Sequence, residues 1–361
     1  MYDELFYQMK PNFDEFIDII KGKKKTSRVH LVELGVDEEI MSYVWENYLN
    51  KKWVDEPVEK IKNKIEFFYS LGYDFVTFWP TVKNIPKFKK RITDDTAMVS
   101  RGKREWVEEG IGIINSWEDF KEIDWDKLDI EMKEFEVASE YVSFKDSMKL
   151  MLCTTLFEMV LERWMGYEGL FISLVRQPDL VKAVFDTWGE KIYEFYEKLI
   201  DSEVVGGIFH ADDMGYRSAT MINPNDLRKY VLPWLKRYAD LAHSRGKVFF
   251  LHSCGNNLAI MDDLINYVGI DAYHSFQDSI IPIWEFQRRY PTIGVLGGVD
   301  VDKLARYPEK DLENYITDIL EKCMFTGRFA LGSGNTVTNY VPPENYLKMI
   351  KTASDFHNKN R

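Results

Sequence analysis

The stretch FLHSCGN, residues 250–256, sets a histidine and a cysteine two apart at the end of an apolar run, KVFFLHSC. In an extended chain residues i and i+2 share a face, so His252 and Cys254 project together and Ser253 points the other way. A neutral imidazole beside a thiolate is a good pair of zinc ligands, but zinc takes four ligands, about three of them from protein in a catalytic site. The pair by itself leaves two readings open: a metal centre, or a polar histidine next to a buried thiol. The stretch FHADD raises a related question, because His210 and Asp212 are also two apart and Asp213 follows. Paired carboxylates at a strand end can serve as base, as metal ligand or as anchor for a cationic or amide-bearing substrate. Equally, one of them can cap the next turn.

These residues belong to a regular alternation of short β-rich runs and longer amphipathic segments. Strands are expected at 204–211, 247–254, 269–276, 292–299 and 328–334, and upstream at 28–34, 74–80 and 149–155. Helical segments between them complete the pattern of repeated βα units on a parallel sheet. The best-marked helix starts at Asn223 as N-cap with Pro224 in its first turn, ends at Gly246, and should kink or split at Pro233. No GxGxxG follows the first strand, so the expected fold is α/β, a single (β/α)8 TIM barrel over residues 1–361. An N-terminal extension precedes it, and residues 81–128 form an insertion after the second strand, read as a small hairpin over the barrel mouth.

Active sites of such barrels lie at the C-terminal ends of the strands. Reading off those ends gives Glu33, Cys153, His210, Asp212, Asp213, His252, Cys254, His274, Asp300, Ser333 and Asn335. His30 falls within the first strand, whereas His243 and His357 read as surface residues. In GSGN, 332–335, glycines flank Ser333; they either let backbone N–H groups approach a ligand or form a tight turn. No GxSxG elbow accompanies them, which leaves hydrolase chemistry without support. Trp79, Tyr216, Tyr273, Phe276 and Tyr340 either line an apolar pocket or belong to the core.

Composition narrows the partners. With 45% hydrophobic, 29% charged and 15% aromatic residues the chain can bury a sizeable core. Its net charge of -12 argues against nucleic-acid binding, which draws on Lys and Arg at phosphates. The one basic cluster, Lys21 to Arg28, reads as a solvated linker or a local anion contact. Three cysteines are too few for a disulfide scaffold. The N-terminus lacks the pattern of a signal peptide, and no apolar run reaches the roughly 18 residues of a membrane span. The expectation is a soluble, cytoplasmic protein with reduced thiols.

The run FHADDMGYRSATMINPNDLRKYVLPWLKRYADLAHSRGKVFFLHSCGN, followed by GIDAYHSF, GVLGGVD and ALGSGNTVTNYVPPENY, resembles the uroporphyrinogen decarboxylase superfamily, which also contains corrinoid-dependent methyltransferases. The resemblance is strong over 204–350 and fainter before, and it implies a (β/α)8 barrel. True decarboxylases of the family carry an Arg-Gln-Ala-Gly-Arg stretch after the first strand and a histidine between glycines on the last. Here HLVELGVD brings Glu33 and no arginine, and the last-strand position is Ser333. A carboxylate at that place would repel a polycarboxylate substrate. Zinc methyltransferases of the family use His-x-Cys on the fifth strand and a cysteine on the last; His252 and Cys254 match, while Ser333 stands where the third ligand would be. Asp212, Glu33 or His274 are candidates to complete a different coordination sphere.

The resemblance thus implies transfer of a methyl group between a small methylated substrate, or tetrahydrofolate, and a corrinoid (cobalamin) cofactor. Lacking an Asp-x-His-x-x-Gly motif, the chain would meet that cofactor on a separate corrinoid protein. In this reading Asp212, Asp213, His252 and Glu33 are the catalytic candidates. His210, Tyr216, His274, Asp300, Ser333 and Asn335 bind substrate, His252 and Cys254 hold zinc, and the chain forms a homodimer. The alternatives are a carboxy-lyase acting on a porphyrinogen or other carboxylated substrate, and a barrel that binds a corrinoid or pterin without catalysis.

Overall fold

A computed structural model describes residues 10–25, 28–100, 102–108, 110 and 112–359. Its strands are β1 (Phe75–Phe78), β2 (Val82–Lys83), β3 (Lys90–Asp94), β4 (Lys103–Val107), β5 (Asp129–Ile130), β6 (Lys149–Leu152), β7 (Val205–Ala211), β8 (Val248–His252), β9 (Ala272–His274), β10 (Gly294–Val299) and β11 (Phe329–Ser333). Seven of them form one sheet in the order β1-β6-β7-β8-β9-β10-β11, and every pairing in it is parallel. Apolar runs buried on both faces dictate this, because a parallel sheet is covered by helices on one side and curls around its own core on the other. Phe75, Met151, Phe209, Phe250, Leu296 and Ala330 gather in the inner cluster. A larger cluster lies beneath the helices.

The N-terminal helix Phe13–Ile20 closes the inner cluster from below. Phe16 is fully buried and packs on Phe75 at 5.6 Å between ring centroids and edge-on against Phe250 at 6.0 Å. Phe16→Ala should therefore cost about 3–5 kcal/mol of stability. Urea unfolding of the variant checks this, and a loss below about 1 kcal/mol would show that the helix is no plug.

Residues 28–34, expected as the first strand, form no ladder. They meet β11 through a single bridge, Leu31 to Leu331, with Leu331 N–H donating to His30 O and Val32 N–H to Leu331 O, both at 2.8 Å. The approach is so close that a Cβ at Gly332 would lie 1.7 Å from the Val32 carbonyl oxygen, which only glycine permits. Toward β1 the joining is done by side chains. Thr77 Oγ1 donates to Leu34 O at 2.7 Å, and Asp74 holds the Arg28 guanidinium and, at 2.6 Å, His30 Nδ1. The described sheet is thus seven strands plus one bridged segment.

Between β1 and β6, β3 and β4 pair as an antiparallel hairpin and β2 pairs with β5. Arg104 donates to Asn339 Oδ1 at 3.0 Å and Asn339 to Asp95 Oδ2 at 2.7 Å, fastening the hairpin to the loop after β11 at the mouth. The helix after Asn223 is split, as Pro233 requires, into Pro224–Tyr230 and Leu232–Ser244. His357, expected at the surface, is buried at 7% exposure on the last helix. Among the described residues no helix is long and apolar enough to cross a membrane.

Candidate active site

Three electron-pair donors converge at the ends of β7 and β8. Asp213 Oδ1 lies 3.2 Å from His252 Nε2, and Cys254 Sγ lies 3.4 Å from the same nitrogen. The donor atoms of all three residues fall within 4.8 Å of one another. Two glycines make this possible. The loops after β7 and β8 pack backbone to backbone, so that a Cβ at Gly255, whose φ is +79°, would sit 2.2 Å from the Gly215 carbonyl carbon. Gly215 N–H donates to Cys254 O at 3.1 Å, and Cys254 N–H donates to Asp213 Oδ1 at 2.7 Å.

The ring of His252 is oriented by its neighbour. His274 Nε2 lies 2.9 Å from the Ser333 carbonyl oxygen, which only accepts, so that nitrogen carries a hydrogen. Burial, with the charge of His252 as a second cause, pushes the His274 pKa down to about 3, so the ring is neutral and its Nδ1 accepts. His252 Nδ1 lies 2.6 Å from that atom and must donate to it. With Nδ1 committed to His274, Nε2 is the nitrogen that His252 turns to Asp213 and Cys254, the one through which it would bind a metal.

Burial acts to raise the Asp213 pKa, but the hydrogen bond and charge of His252 and the bonds from Cys254 outweigh it and hold the carboxylate below its ordinary range. Burial and then the Asp213 charge push the Cys254 thiol well up. Cys254 Sγ also receives Asn335 Nδ2 at 3.1 Å and touches Ser275 Oγ at 3.5 Å.

The other expected residues are placed differently. Strand parity puts His210 and Asp212 on the face toward the helices. His210 Nδ1 meets Tyr196 Oη at 2.9 Å, and Asp212 Oδ1 accepts from Glu158 N–H at 3.0 Å and Thr155 Oγ1 at 3.1 Å. The turn-capping role thus falls to Asp212, and Asp213 is the carboxylate that joins His252. Glu33 is buried against Ser333, accepting from its N–H at 2.9 Å and bonded to its hydroxyl. Burial raises the Glu33 pKa to about 8 despite these bonds. It faces no cavity as a free carboxylate, so the expected repulsion of a polycarboxylate has no basis in the fold.

The Ser333 hydroxyl is also bonded to Asn335 O and is not among the converging donors. Neither Asp212, Glu33 nor His274 completes the trio. Asp300 caps the helix Val301–Arg306, accepting from Asp302 N–H at 2.9 Å and from Asp278 N–H at 2.9 Å. Tyr216 is 65% exposed on the loop after β7.

Two cavities flank the trio. One of ≈ 810 Å³ covers the ends of β9 to β11 and is lined by Arg217, Phe276, Lys303, Asn335 and Tyr340 among others. The second, ≈ 470 Å³, lies over β1 and β6 with Trp79, Thr154, Glu158, Met159, Glu162 and Trp188 in its wall. Glu158 accepts from the Asp213 backbone N–H, and burial, then the charges of Asp213, Asp212 and Glu162, push its pKa well up. Sequence reading missed it, since it stands on the helix after β6 rather than on a strand; LFEMVLERW carries no motif that marks it.

A parallel sheet curled around an apolar core, with N, S and O donors at the carboxyl ends of its strands, defines an α/β enzyme of the TIM-barrel type. Residues 154–356 match the uroporphyrinogen decarboxylase (URO-D) family, and the chain belongs to that family. No curated protein matches it by sequence. In fold it is similar to a methyltransferase from Methanosarcina mazei, with a TM-score of 0.67 at 14% identity over 95% of this chain and 98% of that one. It is also similar to a B12-independent methionine synthase from Shewanella sp. W3-18-1, with a TM-score of 0.51 at 10% identity over 93% and 98%. The family and both neighbours are enzymes by name.

Proposed function

We propose that the chain is a methyltransferase that moves a methyl group between a small methylated substrate, or tetrahydrofolate, and a corrinoid cofactor carried by a partner protein. We further infer one (β/α)8 barrel domain over 1–361 with 81–128 inserted, acting in the cytoplasm as a homodimer. The observation that carries the reading is the convergence of Asp213, His252 and Cys254, with His252 Nε2 turned to the other two.

The donor set fits zinc. Nitrogen, sulfur and oxygen are its usual ligands, and separations of 3.2 and 3.4 Å are near the roughly 3.4 Å edge of a tetrahedron with bonds of about 2.1 Å. Bound there, zinc would lower the pKa of a substrate thiol or polarise the heteroatom bearing the methyl group. The chain's own residues do the rest. Asn335 holds the Cys254 sulfur in place, His274 fixes the His252 tautomer, and Glu158 keeps a proton beside Asp213, where a leaving heteroatom would take it up. The two flanking cavities give the methyl substrate and the corrinoid separate approaches.

The test is methyl exchange with cobalamin under anaerobic conditions, with thiols, methylated amines, aryl methyl ethers and tetrahydrofolate as partners, in the native chain and in Asp213→Ala. Turnover with one partner and loss in the variant is expected; a metal-loaded chain that exchanges methyl with none would sink the proposal. A narrower prediction concerns His274. His274→Phe removes the acceptor of His252 Nδ1 and should weaken zinc binding about 10–100-fold. Competition against a chromophoric chelator reads this, and unchanged affinity would show that the tautomer is set otherwise.

A further inference from the structure

The opposite end of the barrel carries a cavity of ≈ 490 Å³ that methyl transfer does not use. It lies where the chain leaving helix Phe13–Ile20, the turn before β11 and the last turns of helix Pro343–Lys359 meet. Lys23, Lys24, Lys25, Arg28, Arg328 and His357 line it, and among the described residues no aspartate or glutamate does, in a chain whose net charge is -12. Part of this charge is answered nearby. Asp18 pairs with Lys23 at 3.9 Å and Lys24 at 3.2 Å, and Asp74 pairs with Arg28. Lys25 and Arg328 pair with no carboxylate among the described residues, and the one Asp18 carboxylate shared by Lys23 and Lys24 leaves a further positive charge.

Arg328 is held there against its backbone preference. Its φ is +55°, a region that non-glycine residues other than Asn and Asp seldom occupy and that clusters at functional positions. Its guanidinium lies against Gly22, where a Cβ would be 2.6 Å from the central carbon, and Nη1 donates to Ile20 O at 3.3 Å. Met324, Phe325 and Phe356 add apolar wall, with Phe325 78% exposed. The five residues of β11 separate this floor from the trio by roughly 16 Å, so a ligand here is not the methyl substrate.

We propose that this cavity binds a phosphate-bearing small molecule, with Arg328 and Lys25 on the phosphate and Phe325 against the remainder. A planar guanidinium fork suits a phosphate, and the volume is that of an ordinary small-molecule site. The test is calorimetric titration of the full chain with AMP and with pyrophosphate in about 0.15 M salt, where non-specific attraction is screened. Arg328→Gly, which relieves the backbone, and Lys25→Glu are titrated beside it, with zinc content as the check that the mouth is intact. One saturable site for either probe, weakened at least about tenfold in either variant, is the expected result. Absence of saturable binding of both probes, or the same affinity in both variants, overturns the proposal.

Discussion

Protein purified without chelator should carry about one zinc ion per chain, and Asp213→Ala, His252→Ala and Cys254→Ala should each carry almost none. Three protein ligands are the minimum for a catalytic zinc, so removing any one leaves too few. With the metal, methyl exchange should fall about 10³-fold or more, since Lewis-acid assistance is worth several kcal/mol. Zinc binding must also displace the Cys254 proton, because burial and the Asp213 charge hold that thiol protonated. Apparent affinity should therefore drop by roughly tenfold per pH unit on acidification. Metal analysis of the four proteins decides the matter: zinc retained in Asp213→Ala would remove Asp213 from the ligand set, and zinc absent from the native chain would end the metal reading. The Asp213 variant is the sharper probe, because a His-x-Cys pair alone predicts nothing for it.

Between pH 6.5 and 8 the Glu33 proton should cost about 2 kcal/mol of stability. Glu158, also held protonated by burial, adds a decline of the same sign, and Glu33→Gln should remove the Glu33 share. Burial raises the Glu33 pKa from 4.5 to about 8. The unfolded chain releases this proton near 4.5 while the native chain keeps it, so stability declines as pH rises through that window, by about 1.4 kcal/mol per unit. His274 works in the opposite sense. Its pKa is lowered from 6.5 to about 3, the unfolded chain takes up the proton first, and stability declines as pH falls through that window. Between 4.5 and 6.5 the Glu33 and His274 slopes oppose each other, so these two groups together add no net pH dependence there. Urea midpoints of the native chain and Glu33→Gln at pH 5, 6.5 and 8 test this; a variant with the same alkaline decline would clear Glu33 of responsibility.

The strand order, the helix split at Pro233 and the shared face of His252 and Cys254 were all legible in the sequence, because each follows from local rules of period and proline geometry. The choice between Asp212 and Asp213 was not. All seven residues of β7 are buried, so no polar alternation marks which face looks inward. Only the pairing of Ala211 with His252 in the ladder sets the parity. The tautomer of His252 was beyond reach for a similar reason, since it depends on a carbonyl at Ser333 brought beside His274 by two intervening βα units. Residues 28–34 read as a strand from composition, yet Thr77 and Asp74 supply side-chain partners where a backbone ladder was expected.

That last feature has a mechanical meaning. The barrel is a hoop closed by a clasp rather than a weld: among the described residues, nothing but side chains joins 28–34 to β1, and the β3–β4 hairpin spans the same line by gripping Asp37 and Asn339 through Arg104. Widening the mouth along this line breaks no ladder hydrogen bond; it must instead part the Thr77–Leu34 bond and the Arg104 contacts. Trp79 and the ≈ 470 Å³ cavity lie beside it, so a shift along this line would reshape that cavity first.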